Sequence, residues 1–161
     1  MRFADWILHQ RWLVRLPIAL FRVRLGGLAA GRLLLLEHRG RTSGARRSVV
    51  LEAVRTSDDG QLYVCSGLGP SSQWLRNVIA EPRVLVSCGW RTSRRYVAQV
   101  LPGDEGAAVL RAYTGRHPSA WKELEPVLRA WAEALARAEG VRDWLEVVPV
   151  VALRPVPLPT V

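Results

Sequence analysis

Apolar residues recur along this chain with two different periods, and each change of period marks a new element. Over residues 4–23 the spacing is helical. Phe3, Ile7, Trp12, Leu13, Leu16 and Leu20 can share one broad face, and Arg11, Arg15, Arg22 and Arg24 supply the polar part. Pro17 removes a backbone donor and predicts a kink there. Gly26, Gly27 and Gly31 then end the helix. From Leu33 the pattern shortens to that of strands. Leu33–His38 is a short apolar run, Arg47–Val54 is apolar and β-branched, and Gly40, Ser43 and Gly44 between them predict a hairpin. Asp58, Asp59 and Gly60 predict the next turn, followed by a third strand over Gln61–Ser66. Gln73–Ala80 reads as a short helix stopped by Glu81-Pro82, because proline disfavours a helical residue before it. Arg83–Cys88 and Thr92–Leu101 read as strands on either side of Gly89-Trp90.

The helical period returns after residue 103. Asp104–Tyr113 carries Ala107, Leu110 and Ala112. Ser119–Glu139 repeats Trp121, Leu124, Leu128, Trp131 and Leu135 at spacings of 3, 4, 3 and 4, a packing seam. Pro126 is expected near a helix start or at a bend. Val147–Leu153 is a last apolar strand, and Pro155, Pro157 and Pro159 end the fold. The order suggests a small antiparallel barrel with helices packed outside, an α+β arrangement. Two regions are expected: an N-terminal amphipathic helix over 1–25 and one barrel domain over 26–161.

Composition narrows the options. At 161 residues, 49% hydrophobic and 23% charged, the chain is sized for one core and is not disordered. Its net charge is +9, and every basic residue except Lys122 is arginine. Residues 1–50 hold ten arginines against two acids, a local charge of +8, whereas residues 101–161 come to −1. Something anionic is therefore expected to meet the first third, and a uniform nucleic-acid coat is not. Cys65 and Cys88 cannot build a disulfide framework and read as buried reduced thiols. His9, His38 and His117 lack paired-ligand spacing, so no metal site is expected. Arg11 and Arg15 break the apolar start, and no apolar run of about 20 residues escapes an arginine; neither a signal peptide nor a spanning helix is expected. A cytoplasmic location follows. The helix over 4–24, with Trp6, Trp12 and Phe21, suits either peripheral contact with an anionic membrane or packing on the barrel or a second subunit.

Two segments carry chemistry. Gly40-Arg41-Thr42-Ser43-Gly44-Ala45-Arg46-Arg47 offers backbone N–H groups, hydroxyls and three guanidiniums in one turn, a composition that holds phosphate or carboxylate. It lacks the Gly-Lys-Ser/Thr ending of a Walker loop. A solvated basic turn has the same composition. The second segment runs from Cys65 through Ser66, Gly67 and Gly69 to Trp74. Its glycines let backbone approach a ligand, and Ser71 or Ser72 can cap the helix that follows. His38 and Arg39 precede the turn without an acidic partner at an obvious spacing, so His38 reads as a partly exposed spectator.

Taken in order, Leu33–Leu36, Gly40-Arg41-x-Ser43-Gly44-x-x-Arg47, Ser66-Gly67-x-Gly69 and Trp74-x-x-Asn77-x-x-Ala80-x-Pro82-x-Val84 resemble the deazaflavin (coenzyme F-420)-dependent nitroreductase family. The closing Val-Val-Pro-Val-Val-Ala-Leu-Arg-Pro over 147–155 looks like that family's last strand. The resemblance implies a split β-barrel related to the FMN-binding barrels. It also implies hydride transfer from the reduced deazaflavin to an electrophilic small molecule of nitro, quinone or enone type. By the same resemblance Arg41, Thr42, Ser43, Gly44 and Arg47, with Arg46 as an extra contact, hold the coenzyme's phosphate and acidic tail. Ser66, Gly67, Gly69, Trp74 and Asn77 line its ring. Ser66 is then expected to bond the ring edge, and Tyr113 or solvent to protonate the product. Two departures stand out: Thr42 replaces a frequent lysine, and Leu75 a frequent tyrosine. An FMN-dependent oxidoreductase of the same barrel, and a non-catalytic binder of fatty acid or lipid, are the alternatives. A homodimer is compatible with all three.

Overall fold

The structure, a computed structural model, describes residues 32–157. The helix expected over 4–23, and the membrane contact argued from it, lie outside the described residues. Six strands form the body: β1 (Leu33–Arg39), β2 (Arg46–Thr56), β3 (Leu62–Cys65), β4 (Arg83–Cys88), β5 (Arg91–Val100) and β6 (Val150–Pro155). They close into a barrel in the order β1-β2-β3-β6-β5-β4, antiparallel at every seam. Helix α1 (Gln73–Ala80) joins β3 to β4. Helices α2 (Gly103–Arg116) and α3 (Pro118–Glu139), with a 3-10 turn at Trp144–Val147, join β5 to β6. This is the expected α+β split barrel with packed helices.

Alternation along the strands produces two cores. Side chains of period two point to opposite faces of a sheet. Leu34 and Leu36 of β1, Val84 and Val86 of β4, and Val151 and Leu153 of β6 therefore meet inside the barrel. The interleaved Val54 and Val150 face outward and pack under Ala107, Leu110, Tyr113, Leu128 and Ala132 of α2 and α3. β6 is covered on both faces, which is why its sequence reads as an unbroken apolar run. Each fully buried leucine among these contributes about 1.5–3 kcal/mol. Gly103 lets α2 start against the 3-10 turn, since a Cβ there would stand 2.5 Å from the Glu146 carbonyl oxygen.

The start of the last strand differs from expectation. The last strand begins at Val150, not Val147. Asp143 accepts a hydrogen bond from the Leu145 N–H (3.0 Å) and starts the 3-10 turn that takes up Trp144–Val147. Pro126 lies inside α3, which continues through it from Pro118 to Glu139.

Candidate active site

The β1–β2 turn is bonded to itself and then to α1. Within it, the Gly40 N–H donates to the Ala45 carbonyl (2.8 Å) and the Gly44 N–H to the Gly40 carbonyl (2.7 Å). Gly44 takes φ +65°, a conformation that glycine adopts without steric cost. The tether to α1 is Asn77. Its Oδ1 accepts from the Arg41 backbone N–H (3.1 Å) and from Arg41 Nη1 (3.0 Å), while Gln73 Oε1 accepts from the same Nη1 (3.0 Å). Because Oδ1 is occupied by two donors, the amide NH2 faces His38 Nδ1, 3.3 Å away, and donates to it. That bond needs an unprotonated Nδ1. Burial lowers the His38 pKa from its ordinary value and the Arg47 charge adds to this, against a backbone bond to Arg39 that works the other way.

His38 is 5% exposed, not the partly exposed spectator expected. It is the next barrel-facing position after Leu34 and Leu36, at the end where the barrel opens towards α1. The depressed pKa has a pH consequence. Below the ordinary imidazole range the unfolded chain binds a proton that the folded ring resists, so stability falls as pH drops. A urea titration should show the unfolding midpoint decreasing between pH 7.5 and 5.5, and His38→Gln should reduce that slope. An unchanged slope would remove His38 from the account.

Beside this turn lies a cavity of about 790 Å³. Its polar end is made by Arg41, Thr42, Ser43, Arg47 and Gln73. Its apolar wall comes from Val49, Val50 and Leu51 of β2, Leu68, Trp74, and Val127 of α3. The loop that forms the near rim is braced from behind. Ser66, 0% exposed, donates through Oγ to the Gly69 carbonyl (2.7 Å) and bonds Ser72 Oγ (2.7 Å). Trp131 Nε1 donates to the Gly67 carbonyl (2.9 Å). At Gly69, φ is +79° and a Cβ would come within 3.2 Å of the Trp131 ring, so only glycine fits the approach.

The structure thus brings Arg41, Thr42, Ser43, Arg47, Gly67, Trp74 and Asn77 to one cavity. It sets others apart. Gly44 shapes the turn without lining the cavity, and Ser66 and Gly69 stand behind the loop with their polar groups engaged. Arg46 leaves for the opposite face. It pairs across the hairpin with Arg39 while Arg47 pairs with His38, and neighbours on a strand point to opposite sides. Tyr113 is elsewhere altogether. It is 1% exposed in the cluster under α2, donates to the Glu52 carboxylate (2.7 Å) and accepts from Arg32 (3.2 Å). Burial, then the bond to Glu52 and its charge, push its pKa up to about 12. It does not line the cavity where it was expected to protonate product. Sequence reasoning missed Gln73, Leu68 and Val127. The alternation Leu34, Leu36, His38 was the available signal for His38.

Among solved structures, three similar ones share the fold. One, described as an F420-H2 dependent reductase (FDR-A), is 21% identical with a TM-score of 0.52, over 76% of this chain and 94% of its own. A second, described as a domain-swapped dimer, is 20% identical with a TM-score of 0.52, over 95% of this chain and 100% of its own. A third, of unknown function from Agrobacterium tumefaciens, is 15% identical with a TM-score of 0.53, over 78% of this chain and 48% of its own. No curated protein matches. Residues 18–123 match the model of the F420H(2)-dependent quinone reductase family, about two thirds of the chain, with β1 through β5 and the cavity's β1–β2 turn and α1 inside the match. The chain therefore belongs to the F420H(2)-dependent quinone reductase family and is a deazaflavin-dependent oxidoreductase.

Proposed function

We propose that the 790 Å³ cavity holds the reduced deazaflavin with its acidic tail on the β1–β2 turn and its ring along the apolar wall. The supporting observation is the division of the cavity into a doubly cationic end and an apolar slot. A planar ring carrying a phosphate and carboxylates needs both, and the volume falls in the range of cofactor pockets. Arg41 and Arg47 offer guanidinium forks to the anionic groups, and Thr42 and Ser43 add hydroxyl donors. Gly67 carries no side chain at the rim, where a Cβ would meet nothing within 4 Å, so backbone and ligand can approach closely there. Trp74 supplies a flat apolar surface. Asn77 acts as a positioning residue: it orients Arg41 and is itself 6% exposed. When bound, the coenzyme supplies the hydride.

The acceptor on this reading is a small apolar electrophile of quinone type, lying between Leu68 and Val127 at the outer rim. Leu68 is 64% exposed, and an apolar ligand would cover it. Product protonation is assigned to solvent, since Tyr113, the tyrosine expected for it, is buried under the helices. A second copy of the chain as partner is compatible with this arrangement.

The test is fluorescence titration with oxidised and reduced coenzyme F-420, FMN serving as control. Micromolar binding of the deazaflavin and no comparable binding of FMN are expected. Addition of menadione to the reduced complex should restore oxidised coenzyme faster than addition of a nitroaromatic. Preferential FMN binding would overturn the cofactor assignment, and turnover confined to the nitroaromatic would overturn the quinone assignment.

A further inference from the structure

On the far side of the β1–β2 hairpin lies a second cavity of about 450 Å³, with no part in the reading above. Four exposed arginines surround it: Arg39 and Arg46 from the hairpin, Arg83 from β4 and Arg95 from β5. The strand register puts them on one face. Arg39 stands directly opposite Arg46, Glu37 opposite Leu85, Leu85 opposite Arg95, and Arg83 opposite Val97. Like charges directly opposed on neighbouring strands are destabilising. Here little relieves them. Arg83 reaches Glu81 at 3.4 Å with its side chain 86% exposed, and among the described residues Arg39, Arg46, Arg95 and Glu37 form no ion pair. Among the described residues the Arg39 guanidinium donates only to the Gly44 carbonyl (3.2 Å).

The floor between these charges is apolar. Leu85 and Val97 lie in it, and Val97 and Val156 are 39% and 40% exposed. A groove with an excess of guanidiniums over an apolar floor complements a molecule with an anionic head and an apolar body. Phosphate suits the head best. As a dianion with three terminal oxygens it can accept forks from several arginines at once, which a single carboxylate cannot.

We propose that this groove is a second ligand site, taking a phosphate monoester with an apolar body while the first cavity is occupied. His38 lies between the two cavities, and the hairpin keeps Arg41 and Arg47 in one and Arg39 and Arg46 in the other.

Phenyl phosphate is the probe, titrated calorimetrically into the full chain with and without saturating oxidised coenzyme F-420. One equivalent should bind with the coenzyme present; without it the vacant first cavity can take a further equivalent, which the coenzyme displaces. Arg39→Ala combined with Arg95→Ala should weaken the equivalent retained with coenzyme about tenfold or more, and Arg41→Ala should leave the groove's equivalent unchanged. Inorganic phosphate should bind more weakly than phenyl phosphate. All three arginines are exposed, so thermal melting should show the variants folded. Displacement of all bound phenyl phosphate by saturating coenzyme would overturn the proposal, as would indifference of the retained equivalent to the Arg39/Arg95 pair. Equal binding of inorganic phosphate would remove the apolar floor from it. Because the probe is measured without coenzyme as well, its failure is distinct from a failure of the first cavity to bind deazaflavin.

Discussion

Replacing Arg41 and Arg47 together by alanine is expected to weaken coenzyme binding by about two to four orders of magnitude. A hydrogen bond to a charged group is worth about 1.5–3 kcal/mol, and each 1.4 kcal/mol is a factor of ten. Both guanidiniums belong to the cavity's polar end, and among the described residues no acid lines that cavity to compensate their loss. Arg41 carries more than its charge, because its guanidinium reaches Asn77 and Gln73. Arg41→Ala alone should therefore loosen the turn as well as remove a cation, and Arg47→Ala should act through charge only. Salt separates the two. Raising ionic strength should weaken binding to the unmodified protein and change the double variant less. A dissociation constant within threefold of the unmodified protein would show that the acidic tail binds elsewhere.

Leu128→Ala is expected to cost about 2–5 kcal/mol of folding stability. Leu128 is 0% exposed and sits where α3 meets the outer face of the barrel, among Val54, Leu110 and Ala132. Total stabilities of such domains are about 5–15 kcal/mol, so this one truncation removes a large share. The melting temperature should fall on the order of 10 °C. Coenzyme affinity at 25 °C should change little, because Leu128 points into the helical core while its neighbour Val127 lines the cavity. A calorimetric scan and a coenzyme titration on the same variant check both halves. A small melting shift with a large loss of affinity would mean that the helical layer contributes to the site more directly than through support.

Strand and helix positions were largely legible, because barrel strands alternate and the short helix is bounded by Ser72 and Pro82. Gln73–Ala80 and Arg83–Cys88 fall where the pattern puts them. What misled at the C-terminal end was a run of valines. Val147 and Val148 look like strand, yet the Asp143 cap and Pro149 divide the run, and local apolarity carries no trace of that division. The site was legible to the extent that its members lie close in sequence. Arg41, Thr42, Ser43 and Arg47 were found as a cluster, and Trp74 and Asn77 by resemblance. Arg46 and Arg47 fall together in the sequence cluster although the period-two rule already separates their side chains. Tyr113 could not be judged from sequence. Its environment comes from Glu52 and Arg32, 61 and 81 residues away, and nothing local to a helical tyrosine announces such partners. Val127 is in the same position, contributed to the cavity by a helix whose apolar seam identifies only its inward face.

Each of the six strands is hydrogen-bonded on both sides. Where a strand is paired on both sides it has no N–H and C=O groups to offer another chain, but Arg46–Glu52 of β2 pair with β1 alone and leave one short edge. Among the described residues and beyond that stretch, the association of two copies cannot proceed by extending the sheet from strand to strand, as it can in open sheets. It must either use side-chain surfaces, such as the outward faces of the helices, or exchange a whole element between copies. In the second case the ladder bonds broken in one barrel are remade in the other. Exchange would require an existing seam to open first, so assembly by that route should be slow and coupled to partial unfolding, while assembly through surfaces should be fast and reversible on dilution.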